Sequence, residues 1–277
     1  MRLLKLYLQL LQRLAPGRAV NLLYRLMSNP RVRKPRGVEE EVLATATQAD
    51  VPFGEHALRR YEWGRGRPRR ALLVHGWEGR AGNFAGLVPL LVARGYHVLT
   101  YDAPAHGKSS QGRTYMFEFG EFLTGVLREF EPEVILSHSF GSVNTAVALQ
   151  PIPDTPLELW VMVTTPHRFR TRFEELVALF GILPRVQARL LTRIEAEVQQ
   201  PIDALDLAQY AAAFTAIDRV VIAHPVHDRI LSIAGARVVH AALPQSTLHE
   251  LEGVGHYSIL WSEQLESIVS EALPTTR

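Results

Sequence analysis

The chain contains no cysteine in its 277 residues. Disulfides, thiolate catalysis and cysteine-held zinc are therefore excluded. It also lacks an apolar run of the roughly 18–20 residues that a membrane-spanning helix needs. Charges and glutamines interrupt every apolar stretch near the start, and no small-residue cleavage site follows, so the start does not read as a signal peptide. Acidic side chains are missing from residues 1–36, which carry nine Lys/Arg. Taking those nine from the formal net charge of +2 leaves −7 on the rest of the chain. No internal repeat and no low-complexity segment is visible. What is present, 47% hydrophobic and 21% charged residues, suits one large domain with a substantial core. The expected compartment is the cytoplasm, with peripheral membrane association as an option left open by the basic start.

Residues 1–27 read as two helices broken at Pro16-Gly17. Arg2, Lys5, Gln9, Gln12 and Arg13 fall on one narrow stripe at helical spacing, and leucines cover the remainder. Such a basic amphipathic arm can pack on its own body, on a second subunit or at a lipid interface. Residues 28–37, rich in Pro and Arg, read as a linker, which sets the arm (1–37) apart from a main domain (38–277). An arginine-rich loop at 65–70 has no aromatic interleaving, and no nucleic-acid partner is expected.

Two strands are predicted at 40–46 and 56–63, joining the sheet in antiparallel fashion. From residue 71 onward strands and helices alternate. Strands fall at 71–75, 97–102, 134–136, 159–164, 219–224 and 248–251. Helices fall at 84–94, 117–130, 143–149, 230–242 and 257–273. Alternation of this kind builds βαβ units. The fold class is thus α/β, a doubly wound, mostly parallel sheet with its site at the carboxyl ends of the strands. One interval breaks the rhythm. Residues 168–214 offer three helical pieces between two strands, the pattern of an inserted helical cap at about 166–216.

The stretch at 133–142, EVILSHSFGS, has the form of a nucleophile elbow. A buried strand breaks into small residues and a helix follows. Ser139 is the nucleophile candidate. Ser137 and Gly141, two places either side, meet the demand for small neighbours where strand and helix pass close together. A serine hydroxyl needs a base, and the base needs an acid to orient it. Asp228, in the loop HPVHDRI after a strand, is the acid candidate, although an Asp there could equally cap the next helix. His256, in the glycine-flanked loop GVGHYSIL, is the base candidate. All three fall at strand ends in the order serine, acid, histidine. For an oxyanion, one backbone N–H is expected from Phe140 and one from Trp77, in the loop His75-Gly76-Trp77 where Gly76 allows close approach. No metal site and no cofactor is expected.

Together LLVHGW, YDAPAHGKSS, LSHSFGS, HPVHDRI and GVGHYSIL resemble the α/β-hydrolase superfamily over about residues 60–270, and in particular its bacterial serine hydrolase and esterase branch. That resemblance implies Ser139, Asp228 and His256 as the triad, with Trp77 and Phe140 as oxyanion donors. It implies a structural role for the turn at 102–109, so His106 is left out of the chemistry. Two places depart from the family pattern: Ser137 replaces a usual glycine, and Ser142 stands where glycine is common. The implied activity is a carboxylesterase acting on a small-molecule ester. The alternatives are a membrane-associated lipase or lysophospholipase, and a non-catalytic small-molecule binder on the same scaffold.

Overall fold

The computed structural model describes residues 2–32, 34–115 and 117–275. Arg33, one of the nine early basic residues, lies outside them. The chain opens with helices α1 (Arg2–Leu14) and α2 (Pro16–Ser28), the latter starting on Pro16, whose fixed φ suits a first helical turn.

Residues 40–46, predicted as a strand, belong mostly to helix α3 (Gly37–Ala44). Glu39 and Glu40 sit in its first turn, where acids favour the positive end of the helix dipole. Glu39 accepts a hydrogen bond from the Arg36 N–H at 3.2 Å and another from Asn83 Nδ2 at 3.3 Å. The strand comes later, as β1 (Thr47–Phe53), and pairs antiparallel with β2 (His56–Trp63). β1 is polar, contains Pro52 and lies at the sheet edge, where a residue without a donor is tolerated.

The alternation then holds. In chain order the elements are β3 (Arg69–Val74), α4 (Val88–Ala93), β4 (Tyr96–Tyr101), α5 (Glu118–Phe130), β5 (Val134–His138) and α6 (Phe140–Leu149). Next come β6 (Leu159–Val163), α7 (Phe169–Phe180), α8 (Pro184–Val198) and α9 (Leu207–Ala212). The chain ends with β7 (Val220–Pro225), α10 (Ile233–Ala242), β8 (Ser246–Leu251) and α11 (Glu263–Ala272). The eight strands form one sheet in the order β1-β2-β4-β3-β5-β6-β7-β8. Only the pairings of β1 with β2 and of β2 with β4 are antiparallel.

Both faces are covered, so the central strands read as unbroken apolar runs. One core holds Leu72, Ile135, Trp160 and Ile222 against Leu123, Leu127 and Val239 of α5 and α10. The other holds Leu73, Leu136, Val161 and Ala223 against Leu91, Leu265 and Val269 of α4 and α11. A third cluster lies off the sheet. Val20, Leu23 and Tyr24 of α2 pack with Phe173, Val186, Leu190 and Ile194 of the helical insertion α7–α9, and with Phe117 and Val143. Residues 2–27 are thus seated on the same chain's insertion. Gln12 fixes that seat: its Nε2 donates to Gly181 O and its Oε1 accepts from Leu183 N–H, both at 2.8 Å.

Candidate active site

Ser139 stands at the end of β5 with φ +53° and ψ −124°, a backbone region that a side chain rarely occupies. The strain places its hydroxyl at the turn into α6, outside both elements. The close packing around it explains the small residues. A Cβ on Gly141 would lie 2.3 Å from Val74 O, and one on Gly76 would lie 2.9 Å from Ser139 Cβ. The loop after β3 and the turn after β5 therefore run against each other.

His256 is carried by the loop after β8 and Asp228 by the loop after β7. Nε2 of His256 is 3.1 Å from Ser139 Oγ, and its Nδ1 is 2.7 Å from Asp228 Oδ2. A carboxylate only accepts, so Nδ1 carries the proton and Nε2 presents its lone pair to the serine. Asp228 Oδ1 accepts from the N–H groups of Ile230 at 2.7 Å and Leu231 at 3.1 Å. Asp228 thus uses one oxygen toward His256 and the other within its own loop; it does not cap the next helix, because α10 starts at Ile233 and its cap is Ser232, whose Oγ accepts from Ala234 N–H at 3.3 Å. Burial pushes the Asp228 carboxyl up, but the His256 hydrogen bond and charge and the two amides outweigh it and hold it below the usual aspartate range.

The N–H groups of Trp77 and Phe140 face no acceptor among the described residues. Phe140 is the first residue of α6, where a helix leaves its N–H unpaired. Trp77 is set by its neighbours. His75 Nδ1 donates to Gly76 O at 2.8 Å, while its Nε2 accepts from Ala103 N–H at 3.0 Å. His106 Nδ1 donates to Pro104 O at 2.8 Å, and its Nε2 accepts from Glu78 N–H at 3.1 Å. The two rings thereby fasten the 75–78 loop to the turn after β4. Burial lowers His75 to about 4 and His106 to about 3, so both are neutral at pH 7. A small pocket beside them is lined by Trp77, His106, Tyr115, Phe119, Phe140 and Asn144.

Two features escaped the sequence reading. His138, between Ser137 and Ser139, has its Nε2 2.9 Å from the backbone O of His256. The carbonyl must accept, so His138 donates and ties the histidine loop to the elbow strand. Desolvation lowers it to about 3. The second feature concerns the two departures from the family pattern. Ser137 Oγ and Ser142 Oγ are bonded to each other at 2.8 Å. Ser137 Oγ also accepts from the buried Trp160 indole N–H at 2.8 Å. Among the described residues no group of three or more His, Asp or Glu is arranged to hold a metal ion.

A family model described as "Alpha/beta hydrolase family" matches residues 71–270. The chain belongs to the alpha/beta hydrolase family. A serine hydrolase-like protein of Danio rerio is 35% identical over 106 residues, which is 35% of this chain and 31% of that protein. The chain therefore spans about a third of that relative's length. Solved structures of this family's fold are similar throughout. An esterase from Pyrococcus furiosus superposes with TM-score 0.65 at 16% identity, covering 88% of this chain and 97% of its own. A bromoperoxidase from Bacillus anthracis superposes with TM-score 0.61 at 17% identity, covering 82% and 99% respectively. At such identities the likeness concerns the fold, which carries unrelated chemistries on one frame.

Proposed function

We propose that this alpha/beta hydrolase cleaves carboxylic esters through an acyl-enzyme on Ser139. The observation that carries the reading is the hydrogen-bonded line from Ser139 Oγ through the His256 ring to Asp228, starting from a backbone strained at the serine. Ser139 Oγ attacks the ester carbonyl carbon as His256 Nε2 takes its proton. Asp228 stabilises the imidazolium. The N–H groups of Trp77 and Phe140 receive the carbonyl oxygen as it becomes an oxyanion, each worth roughly 3–4 kcal/mol in the transition state. The tetrahedral species collapses, the C–O bond to the alcohol breaks, and His256 gives its proton to the leaving oxygen. Water then attacks the acyl-enzyme with His256 again as base. The acid leaves and Ser139 is restored.

The closeness of Trp77, Phe140 and Tyr115 around the pocket supports a short or medium acyl group. Helices α7–α9, lying after β6, serve as the cap that shields the site. The test is hydrolysis of p-nitrophenyl esters from acetate to palmitate, with S139A alongside. Turnover of the shorter esters should fall by roughly four orders of magnitude or more in S139A. A fluorophosphonate probe should label the wild type and spare the variant. Ester turnover that survives S139A would overturn the reading, and failure of every ester and of the probe would leave a binding protein in its place.

A further inference from the structure

Helix α1 has two apolar faces, and only one of them is used. Leu8 (2% exposed) and Gln12 (3% exposed) face the insertion. On the opposite side Leu3 is 83% exposed, Leu6 62%, Tyr7 55%, Leu10 57% and Leu14 75%. At roughly 100° per residue these five fall in one stripe down the outside of the helix, and Arg13 borders it. Such a stripe is costly to leave in water, because apolar surface gains free energy when it is taken out of water.

The unpaired charge on α1 and α2 selects the occupant of the stripe. Lys5, Arg13, Arg18 and Arg25 are all exposed, and none forms an ion pair among the described residues. Residues 1–36 contain no acid to neutralise them. Two copies of α1 paired about a twofold axis would bring these cations together with nothing between them. An anionic lipid surface satisfies both features, taking up leucines at the acyl boundary and cations among the headgroups. No helix among the described residues is long and apolar enough to cross a membrane, so contact of this kind is peripheral.

We propose that the outer face of α1 docks this protein on anionic membrane surfaces, with its inner face still seated on α7 and α8. Docking through an element fixed to the cap turns the roof of the site toward the lipid. Docking of this kind rests on α1 and α2 and does not need the esterase reading.

Flotation of the full-length protein with phosphatidylcholine vesicles, with and without about a third phosphatidylglycerol, tests it. The wild type should float with the anionic vesicles and weaken as salt is raised. L6E/L10E should bind roughly ten-fold or more weakly, because charges replace the inserted side chains, while its circular dichroism and thermal melt stay wild-type. R13E/R18E should lose the anionic preference. Failure of the wild type to float, equal binding to neutral vesicles, or unchanged binding of L6E/L10E would each overturn the proposal. So would light scattering that finds a dimer abolished by L6E/L10E, since the stripe would then belong to a second copy.

Discussion

Ser137 and Ser142 are read best as one substitution. Each departs from a glycine-rich pattern, and each provides the hydrogen-bond partner that makes the other affordable in a buried site. Ser137→Ala leaves the Trp160 indole N–H, fully buried, without its acceptor. The variant should lose roughly 1–3 kcal/mol of stability, the cost of stranding a buried donor. Combined with Ser142→Ala, the loss should be less than additive, because either change already breaks the shared bond; denaturant melts of the four proteins in the cycle measure this. His138 makes a second residue-scale prediction. Its pKa falls from an ordinary 6.5 unfolded to about 3 folded, so the unfolded chain binds the extra proton between those values. Stability contributed there is present above pH 6.5 and is lost as pH falls toward 3. His138→Gln keeps an N–H for the His256 carbonyl but cannot titrate. The slope of unfolding free energy against pH in that window should flatten by one proton's worth, about 1.4 kcal/mol per pH unit. An identical slope in the variant would mean that His138 titrates normally in the folded protein.

Among elements, α2 and α8 depend on each other. Leu23 is buried between the start of the chain and the insertion, with Val186 and Leu190 in the same cluster. Leu23→Ala should cost roughly 2–4 kcal/mol in denaturant unfolding. An unchanged midpoint would show that α1 and α2 lie outside the cooperative unit. The sequence made some elements plain and hid others for identifiable reasons. β5 and β6 are buried on both faces, so residues 134–136 and Leu159–Val163 show as short apolar runs at the expected places. Ser139, Asp228 and His256 were legible because a parallel sheet delivers its loops to one edge in a fixed order. α3 was misread because Glu39 is buried by tertiary partners, Asn83 and Arg80, that no local pattern announces. β1 was missed because an edge strand may be polar and contain proline. The donation from His138 to the His256 carbonyl joins residues 118 apart in sequence, and nothing local marks it.

At the scale of the whole molecule, the chain's start and middle are stitched together over long distances. Gln12 bonds to Gly181, 169 residues further on, and Arg185 reaches back 173 residues to Gln12 O. Helices α1 and α2 therefore have no seat until α7 and α8 have been made. Until then, at roughly 5–20 residues per second, both faces of α1 are open to whatever is nearby. The inner face of α1 thus waits for a seat made 169 residues later, counted from Gln12 to Gly181, and Leu8 on that face must be kept from aggregation until then.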